Sequence, residues 1–146
     1  MAVAIRRNGV TELFWRAHTA VFRLTGGRIG GKMMGMPVLL LTTTGRRSKT
    51  PRTVALMHVE DGPRFVVIAS NAGEDRHPAW WLNLQADPVA TVERRDTTTR
   101  VRAREATGEE RERLWARAVA IYDGYTAYAA RTRRHIPVVV LEPVAS

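Results

Sequence analysis

Hydrophobic positions along this chain change their spacing near Pro37, from a helical period to a strand-like one. Between Asn8 and Leu24, the residues Val10, Leu13, Phe14, Ala17, Val21 and Leu24 recur at helical spacing, and Gly26-Gly27 ends the run. Trp15, Arg16, Phe22 and Arg23 flank that stripe. The pattern predicts a basic amphipathic helix, which either packs on the domain or rests on a membrane surface. Gly26–Gly35 reads as a linker, because it lacks the strand-before, helix-after setting of a phosphate-binding fingerprint. Pro37–Thr43, Arg52–Val59 and Arg64–Ala69 then read as strands, with Asp61-Gly62-Pro63 turning the last two. A short helix is expected over Pro78–Gln85, followed by strands at Pro88–Arg94 and Thr98–Ala106. The last of these alternates Thr99, Val101 and Ala103 against Arg100, Arg102 and Arg104, giving one buried and one charged face. Thr107 with Glu110 three residues on predicts a capping box for a helix carrying Leu114, Trp115, Ala118 and Ile121 on its apolar side. A Tyr-rich turn and a buried strand at Pro137–Leu141 complete an α+β domain built on a small barrel. Residues 1–30 are thus expected to form the helix and linker, and residues 31–146 the barrel domain.

Composition narrows the possibilities only modestly. A chain of 146 residues is long enough for one domain with a real core. The formal net charge is +9, and the only lysines are Lys32 and Lys49, so the excess is carried by arginine. That charge favours an anionic partner without choosing among nucleic acid, lipid headgroups and small polyanions. No recognised nucleic-acid motif accompanies Arg100, Arg102, Arg104, Arg131, Arg133 and Arg134, so no nucleic acid is expected as a partner. The absence of Cys excludes disulfides, thiolate metal sites and a Cys nucleophile. No apolar run approaches the roughly 18 residues of a membrane span, and the start lacks a signal-peptide pattern, so a cytoplasmic location is expected.

Three stretches carry candidate chemistry. Leu39–Arg52 runs from a buried strand into Thr43, Thr44, Gly45, Arg46, Arg47, Ser48 and Lys49, a loop that can wrap a phosphate or polycarboxylate. Gly permits close backbone approach there, and Arg offers paired donors. A solvated hairpin tip accounts for the same residues equally well. Ala69–Gly73 follows another buried strand, where the small residues Ser70, Asn71, Ala72 and Gly73 let backbone N–H groups meet a ligand directly. His77-Pro78-Ala79-Trp80-Trp81 then opens a helix whose N-terminus suits an anion. His77 has no second ligand at a metal-binding spacing, so no metal is expected and a capping or surface role fits it better. Trp80 reads as core. Tyr122, Tyr125 and Tyr128 hold every tyrosine of the chain at spacings of three. They serve either as walls and proton donors of one cavity or as packing between helix and barrel. No nucleophile–base pair stands out, and the residues point to a site in which a bound cofactor does the reaction.

Taken together, TTGRRSKTPR at 43–52, ASNAG at 69–73, HPAWWLNLQADP at 77–88, EERERLW at 109–115, YDGYTAY at 122–128 and TRRHIPVVVLEP at 132–143 resemble the deazaflavin-dependent nitroreductase family. These are actinobacterial oxidoreductases that use coenzyme F420. The resemblance covers roughly residues 37 to 143 in unbroken order. It implies a split β-barrel related to FMN-binding and pyridoxamine-phosphate-oxidase-like folds, preceded by an amphipathic helix. It implies that Thr44, Gly45, Arg46, Arg47, Ser48, Lys49 and Arg52 hold the anionic tail of F420. The deazaflavin would lie against Ala69, Ser70, Asn71, Ala72 and Gly73, bordered by Trp80 and Asn83. Ser70, Tyr122, Tyr125 and Tyr128 would line the acceptor side, where a quinone, an enone or a nitro compound would be reduced. With an ordinary pKa of about 10, a tyrosine there acts as a neutral donor.

Four departures from the family pattern stand out. Arg47 replaces a Lys, Lys49-Thr50 replaces a Gly, Ala72 replaces the first of two glycines, and Ala55-Leu56-Met57 stands where the family has Pro-Leu-Tyr. The last leaves one acceptor-side aromatic missing. FMN remains an alternative cofactor, although its single phosphate is a small load for four cations. A non-catalytic F420 or polyanion carrier is the alternative outside enzymes. A quinone acceptor would make peripheral contact with the inner face of the membrane useful.

Overall fold

The computed structural model describes residues 32–33 and 36–144. The helix expected over Asn8–Leu24 and most of the glycine-rich stretch lie outside the described residues. Strands β1 (Lys32–Met33), β2 (Met36–Thr44), β3 (Pro51–Met57), β4 (Val59–Asp61) and β5 (Arg64–Ile68) come first. A 3₁₀ turn at Asn71–Gly73 and helix α1 (Ala79–Ala86) follow. Strands β6 (Val89–Arg94) and β7 (Thr97–Glu105), helices α2 (Gly108–Ile121) and α3 (Gly124–Arg131) and strand β8 (Val138–Pro143) complete the order. All pairings are antiparallel, in the order β3-β2-β6-β7-β8-β5-β4, with β1 extending the start of β2. The strand expected over Arg52–Val59 is in fact two. Through Met57 it pairs with β2, and from Val59 it pairs with β5 at the opposite end of the sheet. A single residue, His58, separates those two ends, so the sheet curls into a split β-barrel.

The exposure of each strand follows from what covers it. Leu39, Leu40 and Leu41 are all fully buried, one face toward the barrel interior and the other under α1. Val138 to Leu141 are buried in the same way, beneath α2. Such continuous apolar runs mark strands covered on both faces. Strand β7 has only one covered face: Val101 is buried while Arg100 and Arg102 are exposed.

Three expectations about the helices change. Thr107 sits at the start of α2 without a side-chain capping bond, and Glu110 instead takes two bonds from Arg104 of β7. A charge-assisted pair with guanidinium outcompetes the cap. Ile121 is 48% exposed, because it ends α2 beyond the part that packs. The Tyr-rich turn is a helix, α3. Asp61, 8% exposed, fastens α2 to the β4–β5 turn by accepting from Arg113 at 2.9 and 3.1 Å and from Arg64 at 3.1 Å. The Arg113 bond holds its carboxyl below the usual carboxylate range.

His58 is the seam of the barrel. Its backbone N–H donates to the Pro37 carbonyl at 3.1 Å, and its side chain is 1% exposed, edge-on to Phe65 at 5.9 Å. Glu60 Oε1 lies 3.9 Å from its Nε2, too far for a hydrogen bond. Burial, reinforced by Arg94, pushes its pKa down to about 4 from 6.5, so the folded chain holds the ring neutral. The folded value lies below the unfolded one. The associated stability is therefore present above pH 6.5 and is lost as pH falls from 6.5 toward 4. A shift of this size corresponds to roughly 2–4 kcal/mol. Urea melts across that window should show the loss in the wild type and a smaller one in His58→Leu; an equal loss in both would assign the window to other groups.

Candidate cofactor site

The first part of the site is the loop joining β2 to β3. The Gly45 N–H donates to the Thr50 carbonyl at 2.8 Å, and the Lys49 N–H to the Gly45 carbonyl at 2.9 Å, with Lys49 in the left-handed region at φ 60°. Gly45 is buried beneath the Ser48 hydroxyl, which any Cβ there would strike. Ser48 and Thr50 share a hydroxyl bond of 2.8 Å. Arg46 is fixed from below. Its backbone N–H and its Nη1 both donate to Asn83 Oδ1, at 3.1 and 3.0 Å. Asn83 Nδ2 in turn donates to Thr43 Oγ1 at 3.1 Å. Asn83 is buried on α1, so the position that the resemblance assigns to cofactor contact acts here as the anchor of the loop. Thr44 is half-buried, while Arg47, Ser48, Lys49 and Arg52 are exposed. A loop pinned at Arg46 and presenting cations to solvent has the arrangement an anion receptor needs, since little side-chain ordering remains to be done at its base.

The second part is the turn after β5. Ala69 is buried, and its N–H donates to the Pro137 carbonyl at 3.0 Å. Asn71, Ala72 and Gly73 then take φ values of 47°, 55° and 79°, three successive residues in the left-handed region. The N–H groups of Gly73 and Glu74 close the turn on the carbonyls of Ser70 and Asn71, at 2.9 and 3.1 Å. Ala72, where the family pattern has glycine, costs about 1–2 kcal/mol in this conformation. A Cβ on Gly73 would come within 3.0 Å of the Tyr128 backbone, so α3 is packed directly on the turn. Ser70 is fully buried, and its hydroxyl has no partner among the described residues. A buried hydroxyl without a partner is uncommon and suits a ligand atom.

Arg134 binds this turn to the chain before β8. Its Nη2 donates to the Ser70 carbonyl at 2.7 Å and its Nε to the Glu74 carbonyl at 2.8 Å. Its Nη1 lies 3.3 Å from both His77 Nδ1 and the His135 carbonyl. Arginine only donates, so Nδ1 of His77 must accept and the ring proton sits on Nε2. Burial and then the Arg134 charge lower the His77 pKa, which favours that neutral form. Thr132 Oγ1 adds a 2.7 Å bond to Asp75. Sequence reasoning missed Arg134, because Arg131, Arg133 and Arg134 look alike in the run RTRR. Only the fold distinguishes the one that turns inward.

The third part is the tyrosine cluster. Tyr122 ends α2, while Tyr125 and Tyr128 belong to α3. Tyr122 stands edge-on to Tyr125 with centroids 5.2 Å apart, and Tyr125 stands edge-on to Tyr128 at 6.2 Å. The Tyr122 and Tyr128 hydroxyls are bonded at 2.9 Å. Tyr125 lies almost entirely inside, against Trp115 at 6.3 Å. Burial, then the neighbouring phenols, drive the Tyr125 pKa up, and burial and the Tyr122 bond push Tyr128 to about 12. Both hydroxyls therefore stay protonated near neutrality and are able to donate a hydrogen bond or a proton.

Helix α1 joins the parts. It starts after Pro78, close in sequence to the turn, and carries Asn83 to the loop; eight residues span about 12 Å. Trp80 is buried, and its indole N–H has no partner among the described residues. Met57, at the position of the missing aromatic, is buried in the core. The turn and the tyrosines are thus in contact, and the loop reaches them through α1. Exposed cations at one end and unpaired buried donors at the other fit a long ligand with an anionic tail.

Comparison with known proteins identifies the family and the fold. Residues 14–143 match the family model described as F420H(2)-dependent quinone reductase. An F420H2-dependent quinone reductase of Mycobacterium tuberculosis is 38% identical over 130 residues, 86% of this chain and 87% of that protein. A solved structure titled as an F420-H2 dependent reductase is 41% identical with a TM-score of 0.68, covering 73% of this chain and 94% of that one. A pyridoxamine 5′-phosphate oxidase-type protein of Listeria innocua shares the fold alone, at 12% identity and a TM-score of 0.52, over 88% and 94% of the two chains. The chain belongs to the F420H2-dependent quinone reductase family, oxidoreductases whose cofactor is coenzyme F420.

Proposed function

We propose that this protein reduces a quinone with F420H2, holding the cofactor's tail on the Thr44–Arg52 loop and its ring system against Ala69–Gly73. The observation that carries this reading is the pairing of a pinned four-cation loop with a turn whose buried Ser70 hydroxyl lacks a partner. Bound F420H2 supplies a hydride to the acceptor. Arg46, Arg47, Lys49 and Arg52 neutralise the tail, and Asn83 keeps Arg46 from swinging into solvent. Ser70 offers its hydroxyl within a site that excludes water. Tyr128, with its hydroxyl already in a chain with Tyr122, delivers a hydrogen bond or proton to a reduced carbonyl oxygen. Tyr125 supports both rings from beneath. A quinone suits this wall, since it needs a flat apolar surface and donors for two carbonyl oxygens. Enones and nitro compounds also offer a flat π-system with oxygen acceptors and belong in the acceptor panel.

Titrating the purified protein with F420, and with FMN in parallel, while following tryptophan fluorescence tests the cofactor site. Saturable binding of F420 and none of FMN supports the reading; the reverse would move the protein to a flavin. Arg46→Ala should weaken F420 binding by about 1.5–3 kcal/mol, the worth of a charge-assisted contact. An unchanged dissociation constant would remove Arg46 from the tail site. Tyr128→Phe should lower quinone turnover by about three- to tenfold with little change in F420 affinity, while Tyr125→Phe, which keeps the supporting ring, should stay nearer the wild-type rate. Wild-type rates in both variants would leave the tyrosines as walls.

A further inference from the structure

We propose that Arg134 is a positioning residue for the cofactor: its guanidinium holds the left-handed turn at Asn71–Gly73 in the shape that receives the deazaflavin. This rests on the reading that the ring system lies at that turn. The carbonyls that Arg134 grips, Ser70 and Glu74, stand immediately before and after the three residues of positive φ. One planar group therefore clamps both shoulders of the turn. Two of those residues carry side chains, so the conformation is costly and needs support from outside itself. The Ser70 carbonyl accepts from both the Gly73 N–H and Arg134, so the guanidinium adds an outside hold to a bond that closes the turn.

The fork geometry is specific to arginine. Its Nε and Nη2 point in one plane toward the two carbonyls, while Nη1 reaches His77 and His135. A lysine ammonium is a single point and cannot span the pair. The Ser70 hydroxyl gains its position from the same grip, because the bonded carbonyl belongs to its own residue. Arg134 also lines a hollow of about 340 Å³, together with Arg111, Trp115, Ala129, His135 and Ile136. A small planar cation can enter from that side and replace a deleted side chain.

The test compares wild type, Arg134→Lys and Arg134→Ala by F420 titration, quinone turnover and thermal unfolding, with Arg46→Ala alongside. Both Arg134 variants should bind F420 about tenfold more weakly or worse. Millimolar guanidinium chloride should restore affinity to Arg134→Ala and not to Arg46→Ala, a rescue that a general loss of stability would not show. Wild-type affinity in either Arg134 variant, or no rescue of a folded Arg134→Ala, would overturn the proposal. If the alanine variant does not fold, Arg134→Lys alone decides by its dissociation constant. Weaker binding in Arg46→Ala with Arg134 variants unaffected would sink this inference while leaving the site intact. No F420 binding by the wild type would sink both.

Discussion

The constraint on which the rest of the structure depends is that one short stretch of chain serves both ends of the sheet. Residues Pro51 to Met57 complete the β2 side, and Val59 to Asp61 begin the β5 side. The crossing at His58 fixes where β2 and β5 sit relative to each other. Those two strands launch the cation loop and the left-handed turn, so the closure of the barrel sets where the loop and the turn sit relative to each other. A buried histidine is an expensive residue for that place, since its ring nitrogens find no partner among the described residues. Arg94 and Glu60 nevertheless form a pair beside it, which keeps the charge balance of the seam near neutral.

From that frame the site is built by polar groups spent on the protein itself. Asn83 uses its amide on Thr43 and Arg46, and Arg134 uses its guanidinium on three carbonyls and a ring. Neither is free for a ligand in the ordinary sense. Their work is to hold other groups still, and rigid placement of a few donors matters more to affinity than the number of donors present. Within the site, the buried atoms without a partner among the described residues are the Ser70 hydroxyl and the Trp80 indole N–H.

Much of this was legible in the sequence, and the gaps have physical causes. Continuous apolar runs at Leu39–Leu41 and Val138–Leu141 announced strands covered on both sides, and the Thr-Gly-Arg-Arg-Ser sequence announced a short cation-bearing loop after the first of them. The break at His58 was invisible because Arg52–Val59 keeps one strand-like composition across it; a change of pairing partner leaves no local mark. The capping box at Thr107 and Glu110 failed because a cross-strand arginine offered Glu110 a stronger partner, which spacing alone does not reveal. Asn83 was found through its motif and not through its chemistry, since a buried amide looks the same in sequence whether it faces a ligand or a neighbouring loop. Arg134 was hidden among identical neighbours.

The packing of the tyrosines has an optical consequence. Every tyrosine of the chain lies within 6.2 Å, centroid to centroid, of another, and the innermost stands 6.3 Å from the Trp115 indole. At such distances excitation of the phenols should pass to the indole, so weak tyrosine emission is expected of the folded chain. Separation of α2 from α3 would weaken that transfer, while Trp80 and Trp81, on the helix between loop and turn, would report on a cofactor bound as proposed. Two colours of intrinsic emission therefore follow two different events, the integrity of the helical wall and the filling of the site.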